Sequence, residues 1–215
     1  FHACCARILR RDIEKLGYQR SFSIYDDDDQ MGVIKALVKE LNLSDKMYPP
    51  REIKSIISDA KNRLLTPSEW LKESGRDMRA AKIAEVYKRY EKTLRANNAL
   101  DFDDLIMKTM ELLTAHPPVL EYYRGKFDYI LVDEYQDTNL AQYELVRLLA
   151  GEKKNVCVVG DDDQSIYGWR GADIRNILEF EKDFPGCFVV KLEQNYRSTG
   201  NILDAANQVI AHNAG

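Results

Sequence analysis

The run Ile130-Leu131-Val132, followed at once by Asp133-Glu134, constrains the fold of this chain more than any other short stretch. Consecutive apolar residues suit a buried parallel strand, which releases the chain at its carboxyl end, the edge where open α/β sheets bind ligands. The pattern predicts a strand at 129–132 with two carboxylates at its exit. Asp133, first off the strand, suits a hydrated magnesium ion carried on nucleotide phosphates. Glu134, one residue on, is suited to polarise an attacking water. Two solvated loop acids are the plainer alternative.

Two further junctions repeat the arrangement. Asn155-Val-Cys-Val-Val159 reads as a strand that runs into Gly160-Asp-Asp-Asp-Gln164-Ser-Ile-Tyr167-Gly-Trp169-Arg170-Gly-Ala172. Gly160 allows a sharp turn, and the Gln164 amide both donates and accepts, which suits a group that distinguishes a bound terminal phosphate from its absence. Tyr167 and Trp169 beside Arg170 make a stacking platform for unpaired bases, unless the rings simply pack the loop onto a core. Phe188-Val-Val-Lys-Leu192 reads as a third strand, delivering Glu193-Gln-Asn-Tyr196-Arg197-Ser-Thr199. The Arg197 fork fits phosphate oxygens at two points.

Strand and helix alternate from about residue 99, which predicts α/β architecture with a parallel sheet. A helix is expected through Leu105–Leu113, ending before Pro117-Pro118, another at 139–150, and one after Asp173 that stops at Pro185-Gly186. Residues 26–98 read as helices only. Ile34, Leu37, Val38 and Leu41 share one face; so do Ile53, Ile56, Ile57, Ala60 and Leu64, and again Ile83, Val86, Tyr87, Tyr90 and Leu94. The run Asp26–Asp29 is read as an N-cap with acids at the positive end of a helix dipole.

The net charge of −4 gives no overall attraction for nucleic acid, so binding must come from local arrangement. Residues 51–100 hold twelve Lys/Arg against seven Asp/Glu, a basic region that could touch a phosphate backbone or could be an ordinary mixed-charge helical face. No apolar stretch approaches the roughly 20 residues of a membrane helix. Cys4, Cys5, Cys157 and Cys187 lack zinc-binding spacing, and Cys157, in mid-strand, is expected to be a buried thiol. A reducing cytoplasm fits this usage.

The strings Asp133–Asn139, Gly160–Ala172 and Leu192–Thr199 resemble the Walker B, third and fourth motifs of superfamily 1 DNA helicases of the UvrD/PcrA/Rep type. Ala99–Leu105 is similar to another signature of that family, and Phe1-His2-Ala3 to the tail of its Thr-Phe-His motif. The resemblance implies a partial RecA-like, P-loop NTPase sheet domain with an all-helical inserted subdomain. Residues 1–25 and 99–192 would form the first RecA-like domain, 26–98 the insertion, and 193–215 the start of a second RecA-like domain. It implies ATP and Mg2+ as cofactors, and single-stranded and duplex DNA as partners, with repair or replication proteins as further candidates.

The implied roles follow residue by residue. Asp133 and Glu134 hold the metal, with Glu134, Gln164 and Arg197 catalytic. Asp133, Gln164, Tyr196 and Arg197 bind the nucleotide, while Phe1, His2, Tyr167, Trp169 and Arg170 touch DNA. The implied activity is ATP-driven 3′-to-5′ movement on single-stranded DNA with strand separation. No Gly-x-x-x-x-Gly-Lys-Ser/Thr loop occurs in the chain, and Phe1 resembles a cut inside a longer protein, so the fragment itself is expected to be inactive. One rival is a metal-dependent nuclease using Asp101, Asp103, Asp104, Asp133, Glu134 and Asp161–Asp163. Another is a non-catalytic interaction module.

Overall fold

Caps and apolar stripes account for most of the helical elements one by one. The computed structural model describes residues 1–75 and 77–212, apart from the side chain of Arg170. These form two compact units, Phe1–Ile130 with Asn139–Cys157, and Leu131–Thr138 with Val158–Gly215. Together they make a mixed helix and strand protein with small parallel sheets.

The first unit begins with α1 (His2–Asp12) and reaches β1 (Ser23–Ile24). Helix α2 (Asp27–Glu40) opens on Asp26, whose carboxylate accepts from the N–H groups of Asp28 and Asp29 at 2.9 and 3.0 Å. The aspartate run is thus a cap facing the helix dipole. Helix α3 (Pro50–Asn62) carries proline in its first turn, where an N–H would have no partner. Helix α4 (Pro67–Glu73) starts with a reciprocal cap between Thr66 and Glu69. Helix α5 (Met78–Ala96) starts at Asp77, which accepts from Ala80 N–H at 2.6 Å.

The three stripes meet as expected except at Leu64, which lies beyond the end of α3 in the left-handed region, at φ 57°, and packs against the other cluster. Ile34, Val38, Ile53, Ile57, Ile83, Val86, Tyr87 and Leu94 belong to one buried apolar cluster. A second cluster joins Cys5, Ile8, Leu9 and Phe22 to Leu100, Leu105, Leu112, Tyr123 and Leu145. Between them runs β2 (Ala99–Leu100), parallel to β1, with Ser23 opposite Ala99 and Ile24 opposite Leu100. Helix α6 (Phe102–Ala115) follows, then α7 (Pro117–Lys126) and α8 (Leu140–Ala150). Pro117-Pro118, expected only to break the chain, supplies the first turn of α7, because proline's fixed φ and missing N–H suit that position.

A lysine with no solvent exposure ties α3, α5 and α6 together. Lys61 Nζ donates to Asp101 Oδ2 at 2.7 Å and stands 2.7 Å from Glu91 Oε1 and 2.8 Å from Asp104 Oδ1. Tyr90 Oη also donates to Asp101 Oδ2, at 2.9 Å. Asp101 and Asp104 cap α6 reciprocally through each other's N–H groups. Three carboxylates around one ammonium would carry excess negative charge if all were ionised. Burial, and after it the Asp101 carboxylate, pushes the Asp104 carboxyl up to about 8.

In the second unit, Val159 N–H donates to Val132 O at 2.8 Å and Tyr135 N–H to Val159 O at 3.0 Å. Together with the bond from Ile130 N–H to Asn155 O at 2.9 Å, these bonds flank the pairing of β3 (Ile130–Val132) with β4 (Val156–Val158) and advance the same way along both segments, so the pair is parallel. Two one-turn helices, α9 (Arg175–Leu178) and α10 (Phe180–Asp183), replace the single helix expected after Asp173. Helix α11 (Gly200–Ile210) comes last.

Three expectations need correction. The strand β3 is not buried throughout, and Leu131 is 77% exposed, because only β4 pairs with it among the described residues. Residues 188–192 form no strand, and Phe188 and Leu192 are 91% and 83% exposed, because this apolar run meets no sheet edge among the described residues. Cys157 is exposed, not buried, since a two-stranded ribbon covers only part of its surface. All four cysteines are free. No helix among the described residues is long and apolar enough to cross a membrane.

Replacing Lys61 by Met leaves the buried carboxyls of Asp101 and Asp104 without the ammonium between them. Lys61→Met is expected to destabilise the chain by about 3–5 kcal/mol in urea unfolding, and a loss below about 1 kcal/mol would contradict this role. Because the folded pKa of Asp104 lies above its unfolded value, the proton it keeps stabilises the fold at acid pH, and that contribution is lost as pH rises through about 8. Asp104→Asn is therefore expected to flatten the fall of unfolding free energy between about pH 4 and 8. An unchanged slope would show that another group sets it.

Candidate functional site

The second unit gathers the acidic pair and the glutamine segment into one hydrogen-bonded chain. Asp133 leaves β3 exposed, and its Oδ1 accepts from Glu134 N–H at 3.0 Å. Glu134 is in the left-handed region, at φ 51° and ψ 47°, a costly conformation for a residue with a Cβ and one that tends to occur at functional sites. It turns the backbone into a short 3-10 turn, Tyr135–Asp137.

Gln136, fully buried, bridges the two segments. Its Nε2 donates to Glu134 Oε2 at 2.9 Å, while its Oε1 accepts from Asp161 N–H at 3.1 Å. Asp161 Oδ2 in turn accepts from Gln164 Nε2 at 2.7 Å. Sequence reasoning singled out Glu134 and Gln164 but missed Gln136, and it offered Asp161 only as a ligand for the rival nuclease. A carboxamide can donate to a carboxylate and accept from a backbone N–H at once, and that dual capacity was the available signal. Gly160 permits the approach: a Cβ there would meet Gln136 Oε1 at 2.5 Å and Ile177 Cδ1 at 2.7 Å.

Asp137 adds a third carboxyl to the acidic segment. Burial, and then the Glu134 charge, raises its pKa, and its Oδ1 is buried with no hydrogen-bond partner. Asp133 and Glu134 offer exposed carboxylate oxygens, the donor type that magnesium takes, whereas the acidic oxygens gathered within 4.8 Å of one another are those of Asp161, Asp162 and Asp163. The end of the segment is fixed at Thr138, whose carbonyl accepts from Asp173 N–H and from Asn176 Nδ2, both at 2.9 Å.

Beyond Gln164 the chain presents aromatic rings. Tyr167 and Trp169 lie 6.5 Å apart, centroid to centroid, and are tilted by 48°, with Trp169 75% exposed. The Arg170 side chain lies outside the described residues. Tyr196 and Arg197 are both exposed, and a turn there has Asn195 Oδ1 accepting from the N–H groups of Arg197 and Ser198 at 2.9 Å each. Among the described residues, no hydrogen bond or ion pair joins Arg197 to Asp133, Glu134 or Gln164. Phe1 and His2 belong to the first unit, where the His2 ring meets Phe102 edge-on at 6.1 Å. Burial, followed by the positive N-terminus, lowers the His2 pKa.

The aspartates named for a nuclease do not behave alike. Asp101 and Asp104 are buried and already occupied by Lys61. Asp161, Asp162 and Asp163 offer oxygens within 4.8 Å of one another, but Asp161 already accepts from Asp163 N–H and from Gln164.

Residues 1–185 match the sequence profile of the UvrD/REP helicase N-terminal domain. Over 214 residues, all of this chain, it is 56% identical to the "ATP-dependent DNA helicase PcrA" of Staphylococcus epidermidis and equally to that of Staphylococcus aureus. The chain spans 29% of the length of these relatives.

The tight seat of Gly160 gives a direct check on the geometry of the bridge. Gly160→Ala is expected to lower stability by about 1–3 kcal/mol in urea unfolding, because the Gln136 amide must move or the turn must open. A variant as stable as the parent would mean that Gln136 is not held where the structure puts it.

Proposed function

The chain belongs to the UvrD/REP helicase family, and we propose that it provides the hydrolytic and strand-gripping part of an ATP-dependent DNA helicase. In this reading, residues 1–25 and 99–192 belong to a RecA-like domain, 26–98 are a helical insertion, and 193–215 begin a second RecA-like domain. The protein acts in the cytoplasm on single-stranded and duplex DNA, in repair or replication. The observation that carries the reading is the unbroken path from Glu134 through Gln136 and Asp161 to Gln164. It joins the carboxylates suited to hydrolysis with the segment that exposes Trp169.

Magnesium-bound ATP would supply the phosphoanhydride bond and the charge neutralisation that makes its terminal phosphate open to attack. Asp133 holds the metal. Glu134 orients the attacking water and takes its proton. Gln164 lies against the terminal phosphate and registers its loss, and Asp161 and Gln136 pass that change to Glu134 as a rearrangement of hydrogen bonds. Tyr196 stacks on the adenine, while Arg197 offers its fork to the phosphate oxygens. Because both are exposed and unattached to the site here, their engagement requires closure of the chain segment that carries them. Tyr167, Trp169 and Arg170, with Phe1 and His2, hold unpaired bases and backbone, so movement at Gln164 is felt within a few residues by the strand. The 215-residue chain alone is inactive in ATP hydrolysis and unwinding, since it contains no phosphate-cradling glycine loop with its lysine.

The test uses a longer protein that joins this sequence to the remainder its relatives possess. Glu134→Gln is expected to lower ATP turnover by about 100-fold or more while leaving nucleotide binding intact, as removal of a general base does. Turnover within a few fold of the parent would remove Glu134 from the chemistry and favour a non-catalytic role for the acidic segment.

A further inference from the structure

The aromatic segment of the second unit is tied to the acidic turn at both of its ends, and the Gln136 bridge is only the first tie. At the start, Asp161 N–H donates to Gln136 Oε1. At the end, Asp173 N–H donates to Thr138 O at 2.9 Å. Asn176, on α9, donates from Nδ2 to that same carbonyl at 2.9 Å and to Thr138 Oγ1 at 3.1 Å. All these residues belong to the second unit, and residues 162–172, with Tyr167 and Trp169 among them, lie between the two ties.

Asparagine is well matched to this grip. Its amide nitrogen carries two hydrogens and Thr138 presents two acceptors, so a single side chain directs both donors at one residue. A carbonyl only accepts, so the amide must face it with nitrogen. Thr138 is 2% exposed and Asn176 8%, so the pairing is made away from water, where an unmet carbonyl is costly. The Thr138 hydroxyl in turn donates to Tyr135 O at 2.7 Å, and Thr138 N–H to the same oxygen at 3.2 Å, so whatever holds Thr138 also holds the turn that follows Glu134. Ile177, next to Asn176, fills the space beside Gly160, where a Cβ would meet its Cδ1 at 2.7 Å. Helix α9 therefore touches both the start of the aromatic segment and the end of the acidic turn.

We propose that Asn176 is a positioning residue that locks the end of the aromatic segment onto Thr138, so that a displacement at Gln164 reaches the platform and the acidic turn together. The proposal rests on the reading in which Glu134 and Gln164 serve the nucleotide and Trp169 serves the strand. Held at Asp161 alone, the segment would pivot about that point and the displacement would be lost in the swing of the loop. Held at both ends, it moves with the turn.

Amide hydrogen exchange on the 215-residue chain tests the grip without requiring activity. Asn176→Ala removes both donors, and Asn176→Asp removes them while keeping the size of the side chain, so failure of one variant to fold leaves the other to be read. The N–H groups of Thr138 and Asp173, bonded to Tyr135 O and Thr138 O, should exchange about tenfold faster in each variant, with α5 unchanged. Unaltered exchange at Thr138 and Asp173 overturns the proposal, and so does an equal acceleration in α5, which would make Asn176 a general support of the fold. In the longer protein, each variant should lower the oligo-dT-stimulated kcat by about tenfold, with KM for ATP and the affinity for oligo-dT within about twofold, as loss of positioning does. Faster exchange with an unchanged stimulated kcat would overturn the positioning role while leaving the proposed function intact. An unsubstituted longer protein without ATPase activity would overturn the proposed function and the positioning role with it.

Discussion

A single buried ammonium ties three helices of the first unit together. Lys61 lies at zero side-chain exposure among Glu91 of α5 and Asp101 and Asp104 of α6, all within 2.8 Å of its nitrogen. Burying such a cluster is unfavourable unless geometry and additional hydrogen bonds compensate. Here the Tyr90 hydroxyl and the reciprocal cap of α6 supply them. Apolar contacts alone would let helices slide over one another, whereas a four-group charge cluster has one satisfactory arrangement. The register of α3 against α6 follows from it.

In the second unit, polar side chains specify the arrangement where little apolar core is available. Gln136 and Asp161 connect segments that are far apart in sequence, and each uses its side chain at two points. Their geometry is intolerant: Gly160 has no room for a methyl group, and Glu134 adopts a backbone conformation that residues with a Cβ seldom take. Such local cost is reasonable where the product is a defined position for a carboxylate.

The helices were legible because their signals are local. Stripes at three and four residue spacing and the Asp26 cap each act within one or two turns, and each reappears in the structure. The junctions after β3 and β4 were legible for a similar reason, since an apolar run followed by acids or glycine describes both strand and exit. Residues that act through distant partners were not. Lys61 sits on a helix in a basic region, and nothing nearby in the sequence shows that three acids 30 and more positions away would surround it. Gln136 lay between more conspicuous neighbours, and its role depends on a backbone N–H of residue 161.

Strand 188–192 failed for the opposite reason. Its composition is right for a buried strand, yet a strand is defined by a partner's hydrogen bonds, and none meets it among the described residues. Pro117-Pro118 shows that a residue that ends one helix can begin the next.

Communication between the acidic pair and the aromatic segment depends most on the Gln136 bridge. The decisive measurement is oligo-dT stimulation of ATP hydrolysis by a longer protein carrying this sequence, comparing Gln136→Met with the parent. The account requires that stimulation collapse to the basal rate while the affinities for ATP and for oligo-dT hold. Full stimulation in the variant would show that the two segments communicate by another route, or that they do not communicate at all.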